Sequence, residues 1–129
     1  MEVRIDSLDH VAIRVKHLEQ SADWYHKMLG LKRIQPAEWG EFPIFMVSED
    51  GSGVALFPLL DHPEGAPIKV DHFAFRIDPK AFKEIQKYFD ACGLKFQFQD
   101  HIYFHSIYFE DPDGHTVELT TPVKSLPGD

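Results

Sequence analysis

The sequence predicts an α+β fold built from two βαβββ modules that pair curved mixed sheets. Three observations predict it. Residues 8–15, LDHVAIRV, return as residues 70–77, VDHFAFRI, with six of eight pairs identical or similar at an offset of 62. Met28-Leu29-Gly30-Leu31 returns as Ala91-Cys92-Gly93-Leu94 at an offset of 63. Gly53-Val54-Ala55-Leu56-Phe57 is matched to His115-Thr116-Val117-Glu118-Leu119 at an offset of 62. Three blocks in one order at nearly one spacing mark an internal duplication of a module of about sixty residues.

Each copy has the same local grammar. In LDHVAIRV, Val11, Ile13 and Val15 alternate with His10, Ala12 and Arg14, which is a strand period. A helix follows over about 18–29, with Trp24, Tyr25, Met28 and Leu29 as its apolar positions and Gly30 closing it. Strands are expected at LKRIQ, FPIFMVS and GVALFPL, the last two joined by the turn EDGSG at 49–53. In the second copy VDHFAFRI is a strand. Pro79 opens a helix over about 79–91 that Gly93 ends. LKFQFQ, HSIYFED and HTVELTT are the remaining strands, with Asp111-Pro112-Asp113-Gly114 as a turn.

The expected organisation is a first module over 1–60, a Pro/Gly-rich linker at 61–68, a second module over 69–122 and a tail at 123–129. Together they make one domain, about 7–122. A curved four-stranded sheet cannot cover its own inner face, so the modules are expected to pair.

Composition narrows the partners. The 129 residues are 43% hydrophobic and carry a formal net charge of −8. That is enough apolar material for a core without disulfides. Nucleic-acid binding rests on phosphate contacts from a basic face, and no Lys/Arg cluster is present. No apolar run approaches a membrane span, and the N-terminus lacks an apolar leader. The one cysteine, Cys92, is expected to be a packed thiol and fits a reducing compartment, so the expectation is a cytoplasmic protein.

Eight histidines are present, and most ask for no function. His17, His26 and His62 fall on or beside the first helix or in the linker and read as surface residues. His115 reads as structural, opening a strand after a turn. His10 and His72 differ because they hold the same place in the two copies. Each is mid-strand, follows Asp, and points away from the apolar stripe. Glu118, between Val117 and Leu119, also lies on the face away from the apolar positions. The matched blocks put Leu56 at the equivalent place in the first copy, so one carboxylate is available. Two imidazoles and one carboxylate form a facial donor set for Fe²⁺, Mn²⁺, Zn²⁺ or Ni²⁺ with positions left open.

These blocks resemble the vicinal oxygen chelate superfamily, which contains glyoxalase I, fosfomycin-resistance proteins, extradiol ring-cleavage dioxygenases and bleomycin-resistance proteins. The resemblance covers about 7–121 and rests on LDHVA, VDHFA and SIYFEDPDGHTVEL. It implies a single-domain member whose modules surround a metal cleft, with one divalent ion on His10, His72 and Glu118. The ion would chelate two neighbouring oxygens of a small-molecule substrate. Glyoxalase I uses a fourth ligand near the end of its first module. Leu56, at that position here, cannot ligate, which leaves a three-ligand set like that of the dioxygenases and fosfomycin-resistance transferases. Tyr108 matches a dioxygenase tyrosine that hydrogen-bonds substrate. Those enzymes also use a pocket histidine as acid–base, and His101 or His105 can serve, since imidazole titrates near neutral pH. Tyr103 enters the same strand.

A fosfomycin-type reaction needs an anion cradle. Arg14 and Arg76 are on the ligand parity, but the lysines are scattered. Trp39, Phe57 and Phe98 are candidate pocket walls. The resemblance also implies a homodimer. The leading expectation is a dioxygenase-like metalloenzyme. The alternatives are a glyoxalase-type lyase or isomerase, a fosfomycin-resistance-like transferase, and a metal-free, bleomycin-resistance-like sequestering dimer.

Two substitutions test this ligand set. Glu118→Gln removes the only charged ligand and is expected to cut metal occupancy, read by elemental analysis of the purified protein. The same matching expects Leu56→Glu to add a fourth ligand and raise metal affinity by about ten-fold, on the order of 1.4 kcal/mol.

Overall fold

The computed structural model describes residues 1–60, 70–110, 112 and 114–127. The linker 61–68 with His62, the turn residues Asp111 and Asp113, and the last two residues of the tail lie outside the described residues. The elements run β1 (Ser7–Val15), α1 (Leu18–Leu29), β2 (Lys32–Ile34), a 3₁₀ turn (Ala37–Trp39), β3 (Ile44–Val47), β4 (Gly53–Pro58), β5 (Val70–Arg76), α2 (Pro79–Cys92), β6 (Gln97–Asp100), β7 (Phe104–Glu110) and β8 (Thr116–Pro122). The fold is α+β with the βαβββ order repeated. By its contacts the chain forms two compact units, one of residues 10–71 and one of residues 1–9 with 72–129.

In the 10–71 unit the strand order is β2-β3-β4-β1, with β1 and β4 parallel and the rest antiparallel. Its core joins Ala22 of α1 to Ile44, Met46 and Leu56, with Ile13, Val15, Leu18 and Tyr25 packed around them. The apolar stripe of α1 is therefore Leu18, Ala22 and Tyr25. The expected stripe is corrected here, because Trp24, Met28 and Leu29 are 51%, 61% and 58% exposed. Helical spacing alone fits both stripes, and the contact with β3 and β4 selects one. Glu19 in the first turn accepts hydrogen bonds from Arg33 of β2 at 2.6 and 2.8 Å. These bonds hold its carboxyl below the usual carboxylate range. The pair is at the surface and adds little stability.

In the other unit the order is β5-β8-β7-β6, with β5 and β8 parallel. Asp78 caps α2 by accepting from the backbone N–H groups of Lys80 and Ala81, at 3.0 and 3.3 Å. Such a cap is worth about 1 kcal/mol. Pro79 has the φ that a first helical turn needs. Phe82 and Ile85 are buried against Ile77, Ile107 and Leu119, each contributing roughly 1.5–3 kcal/mol of burial. Gly93, at φ 76°, ends the helix in the left-handed conformation. Cys92 beside it is exposed, which corrects the packed thiol expected from sequence. Among the described residues no helix is long and apolar enough to cross a membrane.

The strand registers correct the matching of the two copies. Ala74 pairs with Glu118 in the second, and Ala12 pairs with Ala55 in the first. The counterpart of Glu118 is thus Ala55, at an offset of 63 rather than 62. Leu56 corresponds to Leu119 and lies in the core, fully buried. A slip of one residue turns every side chain to the other face. The inference that the first copy lacks a carboxylate survives, since alanine cannot ligate either. The expected gain of metal affinity in Leu56→Glu does not.

Leu56→Glu is expected instead to place an uncompensated charge between Ala22 and Met46 and to cost about 3–5 kcal/mol. Urea denaturation checks this, and an unchanged midpoint would put Leu56 on the open face.

Candidate metal centre

A strand turns alternate side chains to opposite faces, so the register of β5, β8 and β7 determines which groups meet. Ala74 lies beside Glu118, and His72 is two residues earlier on the same face of β5. Tyr108 lies directly opposite Glu118, and Ser106 opposite Thr120. His72, Glu118, Ser106, Tyr108 and Thr120 therefore share one face.

On that face His72 Nε2 lies 2.9 Å from Glu118 Oε1, with the two side chains 8% and 3% exposed. Taking a carboxylate out of water costs several kcal/mol unless partners replace the lost hydration. At Glu118 the Ser106 hydroxyl donates to Oε2 at 2.8 Å, while Oε1 is the oxygen that lies beside the imidazole. Ser106 Oγ also lies 3.0 Å from Thr120 Oγ1. Two donors about 2.1 Å from one ion, at a near right angle, are themselves about 3 Å apart. The spacing of Nε2 and Oε1 fits shared coordination, and nitrogen with carboxylate oxygen suits the borderline divalent ions.

The Tyr108 ring meets His72 edge-on, centroids 5.5 Å apart. Its hydroxyl lies 2.8 Å from His101 Nε2. The loop bearing His101 is tightly drawn. Ile102 has φ 71°, a costly conformation for a β-branched residue. It is held by the Asp100 carboxylate, which accepts the Ile102 N–H at 2.8 Å, and by the His101 N–H donating to the Phe104 carbonyl at 2.8 Å. Tyr108 is also among the residues that line a groove of about 900 Å³, with Asp90, Leu94, Phe96 and Phe109.

His105 is placed differently. Position 105 has the parity of Ile107, and its ring lies 5.1 Å from Phe98 and 3.6 Å from an Asp100 oxygen. It is on the opposite face of the sheet from Glu118. Phe98 pairs with Ile107 and lies 6.4 Å from Phe82, so this expected pocket wall belongs to the helix side. Tyr103 is buried with the Lys124 amine over its ring.

His10 belongs to the 10–71 unit, where it is buried on β1 opposite Gly53. Its ring lies 5.0 Å from Phe45, which in turn meets Trp39 at 5.1 Å. Gly53 is required there, because a Cβ would run into the Met46 carbonyl. Phe57 lies under the Arg14 guanidinium. Arg14 bonds Asp71 at 3.0 Å and Arg76 bonds Asp9 at 2.9 Å. Each arginine on the ligand parity is thus engaged by an aspartate that precedes a histidine.

The residue that sequence reasoning missed is Ser106. Its signal was present, since positions 106, 108, 118 and 120 share one parity across a hairpin.

Residues 7–119 match the family model described as Glyoxalase/Bleomycin resistance protein/Dioxygenase superfamily. The chain belongs to that superfamily. Members of the superfamily are mostly metal-dependent enzymes. This member is 27% identical to the glutathione transferase FosA of Serratia marcescens over 121 residues, covering 89% of this chain and 80% of the relative. It is 24% identical to glyoxylase I 4 of Arabidopsis thaliana, covering 98% of this chain and 79% of that one. Its fold is similar to that of methylmalonyl-CoA epimerase from Mycobacterium tuberculosis, with a TM-score of 0.74, 17% identity, and coverage of 96% and 94% of the two chains.

His72→Ala removes one partner of a buried pair. In metal-free protein it is expected to cost about 3 kcal/mol, read as a lowered urea midpoint in the presence of chelator. An unchanged midpoint would mean that Glu118 does not depend on the imidazole.

Proposed function

We propose that this protein is a metal-dependent enzyme acting on a small oxygenated molecule, dioxygenase-like, with His10, His72 and Glu118 holding one divalent ion. The observation that carries the reading is the buried His72–Glu118 contact, with the Tyr108–His101 pair beside it on the same unit. His10 is supported as the third ligand by the duplication. It stands to β1 and β4 as His72 stands to β5 and β8, and it too is buried.

A bound ion of this kind supplies Lewis acidity and a template for two neighbouring oxygens. Two histidines and one carboxylate leave open positions, the arrangement suited to Fe²⁺ oxygenases. The residues of the chain do the rest. On this reading the Tyr108 hydroxyl hydrogen-bonds a substrate oxygen, a role supported by its ring meeting His72 edge-on. His101 Nε2 can exchange a proton with that hydroxyl, and so set whether it donates or accepts. The Phe45 ring, tilted against His10, covers one side of its imidazole.

The likeness to the glutathione transferase FosA favours a second reading, transfer of a thiol to a small electrophile. A metal-free binding protein of the bleomycin-resistance type is the third.

Anaerobic loading with Fe²⁺ followed by a catechol screen distinguishes the three. The first reading expects oxygen uptake, and Tyr108→Phe is expected to slow it roughly 100-fold while metal content stays unchanged. Glutathione consumption by the Mn²⁺-loaded protein without oxygen uptake would favour the transferase. Wild-type protein that retains no transition metal, and does not change on His10→Ala, would leave only the binding protein.

A further inference from the structure

We infer that Ser106 is a positioning residue that holds Glu118 to a single metal-facing oxygen. This rests on the reading of Glu118 as a ligand. Ser106 is fully buried, so its hydroxyl has no water to satisfy it and must find a protein partner. It donates to Glu118 Oε2 at 2.8 Å, and Thr120 Oγ1 stands 3.0 Å behind it. The other carboxylate oxygen, Oε1, is the one beside His72 Nε2. The two oxygens of Glu118 are therefore already assigned to different tasks. One is tied to the β7–β8 hairpin, and the other faces the imidazole.

A carboxylate with both oxygens free can swing or bind an ion through both. A hydrogen bond of charge-assisted strength to Oε2 opposes each. The carboxylate then offers one oxygen in one direction, which keeps coordination positions open for substrate. Groups that orient metal ligands typically change affinity by about 10–100-fold when removed. The serine reaches Glu118 diagonally across the hairpin, and Thr120 occupies the directly opposed place. The device is thus built from strand register alone.

The test uses the full chain, stripped of metal, with Mn²⁺ titrated and free Mn²⁺ read by electron paramagnetic resonance. Ser106→Ala is expected to raise the Kd for Mn²⁺ by about ten-fold or more. Ser106→Thr, which keeps the hydroxyl, is expected to remain near wild type. Should the alanine variant fail to fold, Ser106→Cys carries the same test, since a thiol of similar size is a poor donor. A Kd unchanged in Ser106→Ala, or equally weakened in the threonine variant, overturns the inference. Glu118→Gln separates the two levels. If it weakens Mn²⁺ binding and Ser106→Ala does not, the ligand reading stands and the role of Ser106 falls. If wild type binds no Mn²⁺, or Glu118→Gln binds as wild type does, both fall.

Discussion

The rest of the site follows from one buried carboxylate. Glu118 is 3% exposed in the middle of β8, where an uncompensated charge would cost more than a whole helix cap returns. Two side chains stand against its oxygens. His72 lies beside one, and the Ser106 hydroxyl donates to the other. They come from different strands, so this group assembles only when β5, β7 and β8 are in register. Site assembly and strand pairing are here the same requirement.

The duplication explains why a small chain can present matched histidines. Each copy places its first strand parallel to its last, and each puts an Asp-His pair at the start of that pairing. Divergence then acted on single positions. The first copy has Ala55 where the second has Glu118, and Gly53 beside His10, where any larger residue would meet the Met46 carbonyl. The second copy instead has hydroxyls at positions 106 and 120. One copy has a glycine and an aromatic ring beside its histidine, while the other has hydroxyls beside its carboxylate, a difference of side-chain chemistry on one backbone plan.

The loop before β7 adds an imidazole beside Tyr108. His101 meets Tyr108 because the chain turns through Ile102 in a left-handed conformation that a β-branched residue resists. Such strain persists only when neighbouring contacts over-determine it, and the Asp100 carboxylate and the Phe104 carbonyl do so. The cost is spent where a side chain is being aimed.

The sequence by itself determined the repeat, the α+β class, the two helices with their closing glycines, and the parity of His10, His72 and Glu118. All of these depend on local periods of two or 3.6 residues, or on chain-wide self-similarity. It could not determine the register between strands distant in sequence. A one-residue error in matching the copies therefore put Leu56 at the place equivalent to Glu118 when Ala55 holds it. His101 and His105 likewise stayed equal until the folded chain sent one to Tyr108 and the other to Phe98. It also misplaced the buried stripe of α1, because which face of a helix is covered depends on the sheet beneath it. Only the tertiary structure decided these points, since a hydrogen-bonded register is a relation between segments that no single segment encodes.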